Sequence, residues 1–83
     1  MITMSAKFEA SSAEFANWKF VDRIIKQHLP KDIKSKLIFF GYEGLFSVVP
    51  EYFGITRMYR NERSYITFEF TEEQWVIFLL KWA

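Results

Sequence analysis

The chain has 83 residues, 51% of them hydrophobic and 20% aromatic, and eleven Lys and Arg against ten Asp and Glu leave a net charge of +1. This length makes one domain, residues 1–83, which buries only roughly 60% of the surface its unfolded form exposes, so its stability rests on packing. Without cysteine there is no disulfide framework, thiolate chemistry or sulfur-ligated metal, and the near-neutral charge advertises neither a nucleic-acid binder nor an acidic mimic of one.

Residues 2–9 alternate, with Ile2, Met4, Ala6 and Phe8 facing one way and Thr3, Ser5, Lys7 and Glu9 the other, the period of a half-buried strand. Ser11 stands three residues before Glu14, a capping-box spacing, and from there to Leu29 the period is helical. Phe15, Trp18, Val21, Ile25 and Leu29 make the inward stripe, with Phe20 and Ile24 at its edge. Lys19, Arg23 and Lys26 form a basic stripe on the opposite face, supported by Asp22 four residues before Lys26. Pro30 ends this helix, because the residue before a proline is pushed out of the helical region.

Residues 31–36 read as a charged connector. After it, two apolar runs flank G-Y-E-G, which predicts a hairpin of 37–40 against 45–49 over a four-residue loop. Residues 50–54 connect to a second hairpin, 55–59 and 64–70 around R-N-E-R, in the register where Tyr59 meets Ser64, Arg57 lies beside Ile66 and Met58 meets Tyr65. On the last strand Ile66, Phe68 and Phe70 point inward. The final helix, 71–83, has Thr71 as its cap with Gln74 as capping-box partner and Glu72 and Glu73 at its positive end. Its Trp75, Phe78, Leu79 and Trp82 share one face, widened by Val76 and Leu80, and Ile77 lies across from it.

The sum is an α+β domain, β-α-β-β-β-β-α, with an antiparallel sheet in two layers and both helices on one face. The helix-meander-helix order resembles, in topology alone, the double-stranded-RNA-binding domain and the SH2 domain. The basic helix start of the first and the phosphotyrosine-binding arginine strand of the second are both missing from the sequence.

The residues offer little chemistry. His28 is the only histidine and sits where a helix C-terminus favours an imidazolium, and no phosphate loop, H-E-x-x-H or calcium loop occurs. The expectation is therefore no enzyme, no catalytic residues, no metal and no cofactor. A binding surface is expected instead. Arg57, Met58, Tyr59, Arg60, Arg63 and Tyr65 cluster on the second hairpin, where arginine interleaved with tyrosine suits a protein partner, or the bases and phosphates of a nucleic acid. The basic stripe Lys19, Arg23 and Lys26 would serve the nucleic-acid alternative. Ile77 and Trp82 are candidates for self-association as a homodimer, and Tyr42, Tyr52 and Phe53 add to the apolar excess. With no signal-peptide core and no apolar run longer than 76–80, the expected compartment is the cytoplasm, away from membranes. The expected function is a small non-catalytic protein-binding module, an inhibitor or adaptor of the kind found among phage-encoded inhibitors of host defence (anti-CRISPR-like) and immunity or antitoxin proteins.

Overall fold

The computed structural model describes residues 1–6 and 12–83. The alternating N-terminus forms β1 over Ile2–Ser5, with Met4 fully buried. The expected continuation through Lys7, Phe8 and Glu9, and the Ser11 cap, lie outside the described residues. Helix α1, Ala13–His28, starts at Ser12, whose hydroxyl accepts the Phe15 N–H at 3.1 Å. Its inward stripe is as spaced: Val21, Ile24, Ile25 and Leu29 are buried, and Trp18 stacks on Phe68 with ring centroids 5.9 Å apart. Leu29 closes the helix in an extended conformation ahead of Pro30.

The first predicted hairpin does not form. Residues 31–36, read as a connector, are the opening turns of helix α2, Lys31–Phe40, and residues 45–49 lead into a short helix α3, Val48–Phe53. The physical reason lies at the glycine. Gly41 adopts φ 67° and ψ −154°, a region open almost only to glycine, and so stops α2 as a helix terminator instead of turning a hairpin. The chain ends one helix at Gly41 and starts another after G-Y-E-G. Pro50 fits the first turn of α3, where its missing N–H would have had no helical partner. Ile33 and Leu37, four residues apart, turn α2 toward the core, and only Leu37 is fully buried.

Strands β2, Arg57–Arg60, and β3, Ile66–Phe70, form the second hairpin as expected, but not in the expected register. Arg57 faces Glu69 and Met58 faces Phe68, three positions from the predicted pairing. The loop decides this. Asn61 N–H donates to the Tyr65 carbonyl and Ser64 N–H to that of Asn61, both at 2.9 Å, and Ser64 takes a left-handed φ of 66°. That is a turn closed from Asn61 to Ser64 that ends on a left-handed residue, a tighter three-residue loop than R-N-E-R. The Asn61 side chain fastens it by accepting the N–H groups of Arg63 and Tyr65, each at 3.0 Å. An odd slip turns every side chain of one strand over, so Met58 moves from the predicted outer face to the inner one, where it is 4% exposed.

Strand β1 pairs antiparallel with the other edge of β3, giving the order β1-β3-β2. The architecture is thus mixed α+β with a three-stranded antiparallel sheet, and the described order is β-α-α-α-β-β-α rather than the four-stranded meander after one helix. The topological likeness to the RNA-binding and SH2 domains goes with that meander. Ile2, Met4, Met58, Ile66, Phe68 and Phe70 share one sheet face by register. Rings from three places meet it: Trp18 of α1 and Tyr42 of the α2–α3 loop on Phe68, and Trp75 and Phe78 of helix α4, Glu72–Trp82, on Phe70. The other face carries Ser5 and Thr67, buried and hydrogen-bonded to each other at 3.0 Å, beside Thr3, Arg57, Tyr59 and Glu69.

Helix α4 begins as its sequence indicates, with the Thr71 hydroxyl accepting the Gln74 N–H at 3.1 Å. The reciprocal half of the capping box is made by a different residue. Thr56 Oγ1 accepts the Thr71 N–H at 3.0 Å and donates to Gln74 Oε1, tying the helix start to the residue just before β2.

Candidate functional site

The hairpin residues expected to bind a partner are divided between the two sheet faces and the loop. Arg57 and Tyr59 project on the polar sheet face, where the Tyr59 hydroxyl donates to Glu69 Oε2 at 2.8 Å and the Arg57 guanidinium lies 4.2 Å from the Tyr59 ring centroid and 3.9 Å from Glu69. The Glu69 carboxylate, by accepting this hydrogen bond, raises the Tyr59 pKa above its ordinary value; slight desolvation adds to this, and Arg57 opposes it. Arg60 belongs to the opposite face by register. It reaches Glu43 with Nε at 3.0 Å and Nη2 at 2.5 Å, and donates through Nη1 to the Ser64 carbonyl at 2.8 Å. Met58 is core, a correction to its place among the binding residues. Arg63 stands exposed at the loop tip, and Tyr65 is half-buried at its base. The arginines of β2 are thereby occupied within the molecule, and the charge they seemed to offer is matched by Glu69 and Glu43.

The unoccupied apolar surface lies on the helices. In α4 the buried side carries Phe78, stacked on Trp75 and edge-on to Phe20, and the other side leaves Val76, Ile77 and Leu80 in solvent, Leu80 at 81% exposure. Ile38, Phe39 and Phe40 end α2 in the same way, all above 70% exposed. Neither run follows from its apolar character, which promised burial. Of the two self-association candidates, Ile77 is exposed, whereas Trp82 is partly buried against the core, 5.3 Å from the Phe53 ring and 4.6 Å from His28. Tyr42 and Phe53, counted as apolar excess, are buried; Tyr52 is exposed.

The basic stripe does more than face water. Lys19, Arg23 and Lys26 form one wall of a groove of 780 Å³ between α1 and α2, with Lys34 on the other wall and Ala16, Phe20, Leu37 and Ile38 between them. Among the described residues Asp22 is the only acid lining the groove, and it is committed: it accepts the Tyr42 hydroxyl at 2.5 Å and pairs with Lys26 at 2.9 Å. Burial, and then the bond to Asp22, push the Tyr42 pKa far up. The Arg23 guanidinium lies 5.8 Å from the Phe20 ring centroid and Lys19 Nζ 5.8 Å from that of Phe15, with no carboxylate partner for either among the described residues.

Among the described residues there is no group of three or more His, Asp or Glu placed to hold a metal ion, and no helix long and apolar enough to cross a membrane. Comparison with protein-family models, curated proteins and solved structures finds no match to this chain.

Proposed function

We propose that the protein is a non-catalytic protein-binding module, a cytoplasmic inhibitor or adaptor built on a two-layer α+β frame. The class is that of small phage-encoded inhibitors of host defence (anti-CRISPR-like) and of immunity or antitoxin proteins. The observation that carries this reading is the α4 ridge. One helix buries Phe78 almost completely while holding Val76, Ile77 and Leu80 in water, two of them at 54% exposure. Leaving those side chains wet forgoes roughly 1–2 kcal/mol each, a cost that covering by another chain recovers. The cover is a partner protein or a second copy of this chain.

A nucleic-acid role through the hairpin has weaker support, since Arg57 and Arg60 already face Glu69 and Glu43. The two readings separate by salt. Phosphate binding weakens steeply as salt rises, whereas an apolar ridge loses little.

The test is a double substitution, Ile77→Glu with Leu80→Glu. The expected result is an unchanged melting temperature, because both positions are exposed, together with loss of self-association in light scattering or of a purified partner in a binding assay. A large drop in melting temperature would show the ridge to be core, and association unaffected by two new charges would remove the reading.

A further inference from the structure

We infer that the α1–α2 groove is the docking site for an acidic amphipathic helix of a partner protein. The inference deepens the protein-binding reading and rests on it, but uses a different surface from the α4 ridge. Three observations carry it. First, the floor is apolar, with Phe20, Leu37 and Ile38 presented between two helices, the form in which a helix lays its apolar edge into a groove. Second, both walls are cationic. Lys19, Arg23 and Lys26 recur at i, i+4 and i+7, a row about 10 Å long on α1, and Lys34 faces them from α2. Third, Lys19, Arg23 and Lys34 have no carboxylate partner among the described residues, and Asp22, the one acid among those lining the groove, is taken by Tyr42 and Lys26. A helix with a leucine edge flanked by Glu or Asp satisfies floor and walls together, and its charge sign is set by charge complementarity. Ile38 joins the groove to the exposed Phe39 and Phe40, so the docked helix has further apolar surface at the end of α2.

The probe is a labelled amphipathic peptide of about 18 residues, Leu on one edge and Glu beside it, with a Lys-for-Glu version as control. Binding is read by fluorescence anisotropy. The expected result is binding of the acidic peptide only, weakened at least tenfold between about 50 and 500 mM salt. It is also weakened at least roughly tenfold by Arg23→Glu with Lys34→Glu, and less by the neutral pair Arg23→Gln with Lys34→Gln, with circular dichroism unchanged. Equal binding of both peptides, or binding that survives the charge reversal, overturns the inference. So does preferential binding of phosphatidylglycerol vesicles or of an oligonucleotide through the same residues, which would make the groove a lipid or nucleic-acid surface. Failure here with the Ile77→Glu and Leu80→Glu variant still losing its association leaves the protein-binding reading standing and removes only the groove.

Discussion

Tyr42 shows how a single hydroxyl can hold elements together that the sequence keeps apart. The side chain is buried against Phe68, and its hydroxyl donates to Asp22, twenty residues earlier, at 2.5 Å. Asp22 in turn holds Lys26 one helical turn on. The sequence marked the Asp22–Lys26 pair by its spacing, yet gave no sign that a tyrosine between two glycines would close the set. Tyr42→Phe keeps the ring and removes the hydrogen bond to a charged acceptor, so stability should fall by about 1.5 kcal/mol. That corresponds to a drop of roughly 6–12 °C in melting temperature for a domain of this size. The pH dependence has a defined sign. The folded-state pKa of Tyr42 is raised, so the unfolded chain gives up this proton first as pH rises beyond about 10, and stability held below that value is lost above it. Urea midpoints measured from pH 8 upward should therefore fall less steeply in Tyr42→Phe than in the parent protein. Parallel curves would mean that Tyr42 ionises as freely folded as unfolded.

At the scale of elements, the helix starts and the aromatic faces were legible and the middle of the chain was not. Thr71 and its position ahead of Glu72, Glu73 and Gln74 named the start of α4, because capping depends on residues within one turn. Residues 37–40 were misread for an equally physical reason. Leu, Ile and Phe in an unbroken run fit a strand or a buried helix alike, and their period alone does not choose. The charged residues before them were the missing signal, since Ile33 and Leu37 belong to one helical face only if Lys31 to Lys36 are helical too. Gly41 then sets where that helix ends. Gly41→Ala meets no neighbour within 4 Å, so its whole effect is the strain of a Cβ at φ 67°. The expected loss is about 1–3 kcal/mol, visible as a lower urea midpoint, against no more than about 0.5 kcal/mol for Lys36→Ala on the same helix. Equal stability of Gly41→Ala and the parent would show that the helix end can relax without its glycine.

Across the whole molecule, aromatic rings join helices to sheet. Phe70 meets Trp75 at 4.9 Å and Phe78 at 5.2 Å, and Phe68 meets Trp18 and Tyr42 at 5.9 and 5.8 Å. Replacing Phe68 by Ala should cost about 3–5 kcal/mol, a large part of what an 83-residue chain has, and leave much of the protein unfolded at 37 °C. Leu80→Ala, on the exposed side of α4, should change stability by less than about 0.5 kcal/mol. Comparing the two by thermal unfolding tests the division between core and open surface on which the proposed interfaces depend. A destabilisation of Leu80→Ala comparable to that of Phe68→Ala would erase it.

By itself the sequence determined the α1 and α4 helices, the α1 stripe of Val21, Ile25 and Leu29, the Thr71 cap of α4, the second hairpin, the inward row of Ile66, Phe68 and Phe70, and the lack of sulfur chemistry, whereas the α1 cap is Ser12, one residue beyond the Ser11 of the capping-box spacing. Each of these follows from side chains within a few residues of one another. Only the tertiary structure decided the register that buries Met58, the pairing of β1 with β3, the helical state of residues 31–40, and the placing of Arg60 against Glu43. It also decided that Lys19, Arg23 and Lys26 face Lys34 across a groove, and that Ile38, Phe39, Ile77 and Leu80 remain outside. Those outcomes depend on which distant surface is already filled, and apolar character alone does not carry that information.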